Sequence, residues 1–239
     1  MSASTLLARS RPLFVAALVA AVAGCLDLIR HEAPSGEPVR HYGLRLGLVA
    51  CCLAGWFLTQ AMIQARPMDG ERIGDGLHTL FAPLNRRLNA DPKLANALLI
   101  VSSAFIDAFG LFLIIASILG PSVRPFAALF LLFGMRQVSQ GLCALPQPPG
   151  LVWRHPGFPS LLVTYSVGND FFFSGHTAIA VLGALELSHL SLWLGLVGWL
   201  VALGEMVAVL ALRAHYTMDI VMALAAAFCA LQLAGMLGV

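Results

Sequence analysis

The chain is organised as long apolar runs separated by short polar connections. Most of the seven runs approach or exceed the roughly 20 residues that an α-helix needs to cross a bilayer. A backbone in lipid must satisfy its hydrogen bonds within its own segment, and no run shows the alternation of a strand, so each run is interpreted as a helix. The runs are 12–29, 43–63, 94–119, 124–143, 173–190, 191–211 and 217–238. The pattern predicts an all-α, polytopic transmembrane helix bundle.

The first run has features of a processed segment as well as of a helix. Arg9 and Arg11 precede it, and V-A-G-C at 22–25 resembles a lipoprotein cleavage box. A cleaved or lipidated signal and a spanning helix are both open interpretations, of which we expect the helix. The predicted division is an N-terminal segment, 1–40, with an extra transmembrane helix, followed by a membrane domain, 41–239.

Three connections shape the predicted bundle. Residues 64–93 carry apolar side chains at helical spacing with charges around the rest of the helix, which predicts an amphipathic helix in the headgroup plane. That helix either packs on the bundle or forms a wall of a lateral entry for lipid. Residues 145–172 contain five prolines, too many for a helix, and predict a non-helical cap. Almost no polar sequence separates the runs at 190–191, so a tight helical hairpin is expected there.

Composition supports the membrane interpretation and excludes other classes. Of the 239 residues, 59% are hydrophobic and 11% charged, whereas soluble domains have about 25% charged residues. The net charge of +2 indicates no nucleic-acid partner. The five cysteines form no C-x-x-C pair, so a disulfide scaffold is not expected. Arginine outnumbers lysine 13 to 1, which is typical of a GC-rich genome and leads us to expect a bacterial inner membrane.

Two polar clusters interrupt the apolar sequence, at the N-terminal ends of the fifth and seventh runs. They read N-D-F-F-F-S-G-H-T at 169–177 and R-A-H-Y-T-M-D at 213–219. Ionisable residues at membrane depth are costly and indicate a functional site. Because the intervening runs form a hairpin, both clusters emerge on one side of the membrane. His215 and Asp219 are four residues apart, so the carboxylate can orient the imidazole and leave its other nitrogen as a nucleophile.

The first cluster has the chemistry of a phosphate site. Ser174, Gly175 and His176 open a helix, whose free N–H groups and dipole favour an anion, and glycine permits close approach. At this position His176 is placed to protonate a leaving alkoxide. Arg136 and Arg213 are candidate clamps for phosphate oxygens. Zinc binding by the histidines and aspartates is the alternative; because a phosphate site requires no metal, we expect no metal and no cofactor.

These motifs resemble the type 2 phosphatidic acid phosphatase (PAP2) superfamily, and within it the sphingomyelin synthase-like branch. Residues 174–177 read S-G-H-T and residues 215–219 read H-Y-T-M-D, similar to that branch's S-G-H-T and H-Y-T-x-D. Asp170 matches the aspartate of the family's C-G-D lead-in, although the triplet here is G-N-D. Arg136, followed by L-P-Q-P at 145–148, looks like the arginine and L-P-x-P of an earlier motif.

The chain is also similar to the plant phosphatidylcholine:diacylglycerol cholinephosphotransferases. The similarity includes Q-A-R-P at 64–67, the stretch 84–91 and Arg213 two residues before the histidine, and the whole resemblance covers about 60–238. The phosphatase motif K-x-x-x-x-x-x-R-P is absent, and no arginine stands six residues before His215. These departures favour the transferase branch, in which both features are also missing.

The resemblance implies a phosphohistidine mechanism. His176 is expected to act as the acid and His215, oriented by Asp219, as the nucleophile. The expected reaction transfers a phosphocholine-like headgroup from a phospholipid to a lipid alcohol such as diacylglycerol or ceramide, so membrane lipids are the expected partners. A lipid phosphatase or phospholipid hydrolase of the superfamily, and a non-catalytic lipid-binding or transport protein, are the alternatives.

The side of the membrane on which the site lies stays open. Outside the site, loop arginines and lysines number eight on the site's side and four on the other, which favours the cytoplasm under the positive-inside rule. Resemblance to the superfamily implies the opposite, exoplasmic side.

Overall fold

The computed structural model describes residues 38–65, 73–168 and 171–238. Within these ranges the chain is all-helical, with eight α-helices and no strand. The helices are α1 (Pro38–Gln64), α2 (Gly76–Leu80), α3 (Ala82–Ala90), α4 (Pro92–Leu119), α5 (Arg124–Leu142), α6 (Gly175–Leu190), α7 (Leu192–Ala211) and α8 (Thr217–Met236). Six of the seven predicted apolar runs are thereby confirmed as helices. The run 12–29 lies outside the described residues.

Four of the described helices are long and apolar enough to cross a membrane, namely α1, α4, α7 and α8. The two remaining long helices are shorter or more polar, since α6 has 16 residues and α5 has two arginines among its 19. α6 occupies the middle of the bundle, where it contacts α4, α5, α7 and α8. The chain is therefore a helical membrane protein built around a short central helix.

The hairpin of α6 and α7 is packed through small residues. A Cβ added to Gly198 would lie 2.8 Å from the Ala184 Cα, and one added to Gly195 would lie 2.6 Å from the Ser188 Oγ. Small residues let helix backbones approach closely in membranes, where packing rather than hydrophobic burial holds helices together. Ser191 alone joins the two helices and caps α7 by accepting from the Leu194 N–H. The predicted tight hairpin is confirmed.

The amphipathic segment forms two short helices packed on the bundle. Leu88 of α3 is buried beside Val209 and Leu212 at the end of α7. The Asn85 side chain also donates to the Ala211 carbonyl, 2.9 Å away. Packing on the bundle is therefore confirmed, while Leu80 and other apolar side chains of this segment remain exposed. Lateral entry of lipid along that exposed face remains a prediction.

The proline-rich connection contains no helix in its described part and is tied to α4. Asp107 of α4 accepts hydrogen bonds from the Ser160 hydroxyl and from the Leu161 and Leu162 amides, each at 2.8 Å. Leu162 then packs directly against Gly110, where a Cβ would lie only 2.1 Å from its Cδ1. This connection, 143–174, is called the cap below, and its attachment to α4 positions it over the start of α6.

Candidate active site

A polar cavity lies under the cap, where α6 begins. It is enclosed by α1, α4, α5, α6, the cap and the α7–α8 loop, and holds about 650 Å³ of empty space, part of it open to solvent. Its polar walls include Gln60, Arg136, His176 and His215. None of the described lining residues is an aspartate or a glutamate. The cavity is therefore suited to an anion, and the start of α6 adds the positive end of a helix dipole.

His176 projects into this cavity from the first turn of α6. The helix begins there because Ser174 caps it, its Oγ accepting from the Thr177 N–H at 3.2 Å. The His176 ring stands edge-on to Trp153, with ring centroids 5.2 Å apart. Its Nε2 is buried and makes no hydrogen bond to any described residue. The ring is thus held by packing rather than by a hydrogen bond that would fix one protonation state.

His215 enters the cavity from the loop between α7 and α8. Its Nδ1 lies 2.7 Å from the Phe171 carbonyl and 3.5 Å from the Asp219 Oδ2. Since a carbonyl can only accept, Nδ1 carries a proton, and in the neutral ring Nε2 therefore has the lone pair. The sequence predicted that Asp219 would orient this ring. The Phe171 carbonyl makes the shorter contact, and Asp219 contributes a negative charge just beyond it.

Asp219 joins the two histidine motifs. It is fully buried, and its Oδ2 accepts from the Tyr216 N–H at 2.8 Å, which ties the residue before α8 to the first turn of the helix. Its backbone carbonyl accepts from the Ser174 N–H at 3.2 Å. Through this second bond the first turn of α8 and the start of α6 are held side by side.

Arg136 reaches the cavity from α5, and three of its hydrogen bonds go to neutral oxygens. Its Nε donates to the Phe173 carbonyl at 2.8 Å, and one terminal nitrogen donates to the side-chain oxygens of Gln60 and Gln140 at 3.2 and 3.3 Å. A Cβ on Gly175 would lie 3.4 Å from the Arg136 Nε. The sequence predicted that this glycine would let a phosphate approach; in the structure it also gives room to the guanidinium.

Arg213 is not brought to the cavity. It adopts a left-handed backbone conformation, with φ of 52°, and is absent from the described cavity walls. Its guanidinium donates to the Pro149 carbonyl at 2.5 Å and to the His78 carbonyl at 3.2 Å. It therefore connects the cap, α2 and the α7–α8 loop.

Two other predicted phosphate-site residues are also not described at the cavity. Ser174 is buried as the cap of α6 and does not line the cavity, and Asp170 lies outside the described residues.

A second set of contacts holds the α7–α8 loop from the side of α2. The Asp75 carboxylate accepts from both the backbone N–H and the hydroxyl of Thr217, each at 2.6 Å, and His78 Nε2 lies 2.9 Å from the His215 carbonyl. Burial alone would raise the pKa of Asp75. The hydrogen bonds from Thr217 and from the His78 amide outweigh it, so the pKa lies below its ordinary value.

Several residues of the site had no role in the sequence prediction. Gln60 and Gln140 stood out only as polar exceptions within apolar runs, and Asp75 only as a residue type common at helix starts. Trp56, which lines the cavity, is indistinguishable in sequence from an interfacial anchor. The Phe171 contact is made by a backbone carbonyl and leaves no signal in the sequence.

The described residues contain no group of three histidine, cysteine, aspartate or glutamate side chains placed to hold a metal ion. Carboxylates are also missing from the described cavity walls, and the polar groups there are those that bind an oxyanion. The expectation of a metal-free site stays a prediction.

Fold and cavity together define a helical membrane protein with two histidines and an arginine around an anion-sized site. Residues 75–236 match the family described as AtPDCT1/2, the plant phosphatidylcholine:diacylglycerol cholinephosphotransferase-like family, and the chain belongs to it. The match confirms the resemblance to the plant enzymes. No curated protein matches the chain. No solved structure matches it either.

Proposed function

We propose that the protein is an integral-membrane lipid phosphotransferase. It moves a phosphocholine-like headgroup from a phospholipid to a lipid alcohol, such as diacylglycerol or ceramide, through a phosphohistidine. Membership of the AtPDCT1/2 family supports a lipid enzyme that transfers phosphocholine. The observation that carries the proposal is the convergence of His176, His215 and Arg136 on one cavity whose described walls contain no carboxylate.

In the first half-reaction His215 attacks the donor phosphate. Its Nε2 lone pair forms the N–P bond while the P–O bond to the lipid alcohol breaks. His176, protonated, gives its proton to the departing alkoxide, and the negative phosphodiester beside it favours the protonated ring. Arg136 and the first N–H groups of α6 bind the phosphate oxygens and stabilise their developing charge. The products are a free lipid alcohol and phosphohistidine.

In the second half-reaction an acceptor alcohol reverses these steps. The neutral His176 removes the hydroxyl proton as the oxygen attacks phosphorus, and the N–P bond breaks to restore His215. Asp219 stabilises the positive charge that the His215 ring carries while it is phosphorylated. Water in place of the alcohol would make the same scaffold a hydrolase.

The wider relationship to the PAP2 superfamily is part of the proposal. The S-G-H-T and H-Y-T-x-D motifs support the sphingomyelin synthase-like branch, and we propose that the six long described helices form the six-helix core expected of that superfamily. The domain division at 40–41 and location in a bacterial inner membrane are proposed on the sequence evidence alone. The phosphate-binding role falls to Arg136 and Gly175 on the cavity, with Asp170 as a proposed further contact.

A label-transfer assay tests the function. The purified protein is incubated in micelles with choline-labelled phosphatidylcholine and an unlabelled acceptor, either diacylglycerol or ceramide of distinguishable chain length. We expect the label to move to the acceptor. Release of water-soluble phosphocholine or phosphate without transfer would instead support the hydrolase. If the protein catalyses neither transfer nor hydrolysis, the result would support a binding or transport protein.

Matched histidine variants tie the activity to the site. His215→Ala is expected to abolish transfer. His189→Ala is the control, because His189 is exposed at the far end of α6. Full activity of the His215→Ala protein would contradict the assigned nucleophile.

A further inference from the structure

An apolar groove continues from the polar cavity into the bundle. It holds about 410 Å³ of empty space, part of it open to the surroundings, and its walls come from α1, α4, α5, α6 and the cap. Four residues line both spaces, so the groove and the cavity share one wall. The shared residues are Trp56, Phe133, Leu162 and Ile179.

The groove extends about half the depth of a bilayer. Arg136 lies at the level of the histidines, and Phe126, ten residues earlier on α5, lines the far part of the groove. At 1.5 Å per helical residue this separation is about 15 Å. The hydrocarbon core of a bilayer is about 30 Å thick. A chain that starts beside the histidines and follows the groove therefore ends beside Phe126, near the end of α5 that lies away from the site.

The chemistry of the walls selects a hydrocarbon occupant. None of the described lining residues is charged, and all are apolar apart from the Cys52 thiol and the Trp56 indole N–H. A phosphate or a sugar would lose its hydration there without compensation. A hydrocarbon chain gains contacts with Phe126, Leu129 and Phe130, the aromatic and branched side chains deepest in the groove.

The Trp56 side chain marks the junction of the two spaces. Its indole N–H is buried and donates to no described residue, although buried donors are nearly always paired. The junction lies between the phosphate position and the apolar groove. In a glycerophospholipid, this is where the ester oxygens lie between the headgroup and the chains, and an ester carbonyl is an acceptor of the required kind.

Within the described part of the chain, α1 is the wall of the groove that the bundle covers least. Only 17% of its most apolar stretch is buried in the bundle, against 44% for α4. The groove lies between α1 and the rest of the bundle. Its outer wall is therefore α1, which has the smallest buried share of the four described spanning helices.

We propose that this groove binds one acyl chain of the lipid substrate whose phosphate lies between the two histidines. The inference rests on the proposed function and adds the binding site for the hydrophobic part of the substrate. In a ping-pong reaction the departing and the accepting alcohol occupy the same place in turn. The groove therefore holds a chain of the donor first and of the acceptor afterwards.

Narrowing the groove tests the proposal. Leu53→Trp and Ile114→Trp each place an indole in the groove from partly exposed positions, where overpacking of the core is small. With a palmitoyl donor we expect kcat/KM to fall by roughly tenfold, as displacement of about two buried methylene groups would cause. A hexanoyl donor has chains too short to reach the introduced indole. With that donor we expect no change in kcat/KM.

Matched controls carry the same substitution on the lipid-facing side. Leu58→Trp on α1 and Ile115→Trp on α4 lie on exposed faces of the same helices and are expected to leave both donors unaffected. An equal loss with both chain lengths, or no loss with either, in the groove variants would overturn the inference.

Photolabelling separates this inference from the proposed function, because it requires no turnover. Phosphatidylcholine with a photoreactive group at the end of one chain is irradiated with the His215→Ala protein, and the adducts are mapped by mass spectrometry. Adducts at Phe126, Leu129 or Phe130 support the groove even if no transfer activity is found. Adducts confined to outward positions such as Leu58 would reject it even if transfer is found.

Discussion

The two histidines of the cavity are held in different ways. His215 donates from Nδ1 to the Phe171 carbonyl, and its own carbonyl lies 2.9 Å from His78 Nε2. His176 packs edge-on against Trp153, with no hydrogen bond to its buried Nε2 from the described part of the chain. A nucleophile benefits from a fixed tautomer, whereas an acid–base group must take up and release a proton. The difference in support matches the two proposed roles, His215 as nucleophile and His176 as acid and base.

The largest expected effects come from removing the histidines themselves. His215→Ala is expected to lower turnover by several orders of magnitude, and His176→Ala by about 10²- to 10⁴-fold. A donor with p-nitrophenol as its leaving group separates the roles, because a phenolate departs without a proton. We expect it to restore much of the first-turnover release of p-nitrophenolate to His176→Ala, and none to His215→Ala. Rescue of both variants, or of neither, would contradict the comparison.

Removing the charge of Asp219 is expected to be milder. In Asp219→Asn the Phe171 carbonyl still fixes the His215 tautomer, while the charge that stabilises the phosphorylated ring is lost. We expect turnover to fall about 10- to 100-fold, which corresponds to roughly 1.4 to 2.7 kcal/mol of lost charge stabilisation. The measurement is kcat in the transfer assay. A loss as large as that of His215→Ala would show that the carboxylate, and not the carbonyl, positions the ring.

Asp75→Asn tests the support of the α7–α8 loop through its pH dependence. Because the pKa of Asp75 is lowered in the folded protein, its stabilising contribution is complete above about pH 4, the ordinary value for aspartate. The contribution disappears as the pH falls through the lowered pKa. We expect the melting temperature of the unmodified protein to fall in this acid range, and that of Asp75→Asn to start lower and change less. Identical acid profiles would contradict the assignment.

Asp91→Asn is the matched control for that variant. Asp91 caps α4 by accepting from the Lys93 and Leu94 amides and is exposed there. Both substitutions weaken a helix cap, but only Asp75 also holds Thr217. We expect only Asp75→Asn to lower kcat, with little change in KM.

The smallest expected effect is that of Gly175→Ala. The added Cβ would lie 3.4 Å from the Arg136 Nε, so the guanidinium must shift by a few tenths of an ångström. We expect a severalfold rise in KM for the donor with kcat nearly unchanged. A larger loss would show that the phosphate itself requires the space at Gly175.

The helices were predictable because the bilayer imposes a simple rule. Apolar runs of sufficient length must form helices in lipid, and six predicted runs appear as described helices with ends within five residues of those predicted. The segment 64–93 was predicted as one amphipathic helix, and the structure divides its described part at Phe81, beside Pro83.

The site was only partly predictable, since sequence shows side chains but not backbone contacts. The two histidine motifs lie at one cavity because the α6–α7 hairpin brings the start of α6 and the start of α8 to the same side of the bundle. The role expected of Arg213 is not supported, because backbone carbonyls of the cap and of α2 take up its guanidinium. Neither the Phe171 carbonyl that orients His215 nor the loose packing of α1 is encoded in a motif.

Direct detection of phosphohistidine tests the central claim most directly. The protein is mixed with phosphatidylcholine labelled in the phosphocholine group, without acceptor, quenched in alkali and analysed by mass spectrometry. We predict an acid-labile phosphocholine adduct on His215 that disappears when diacylglycerol is added and never forms in His215→Ala. Transfer of the label to diacylglycerol without any adduct on His215, or an adduct on His176, would contradict the account.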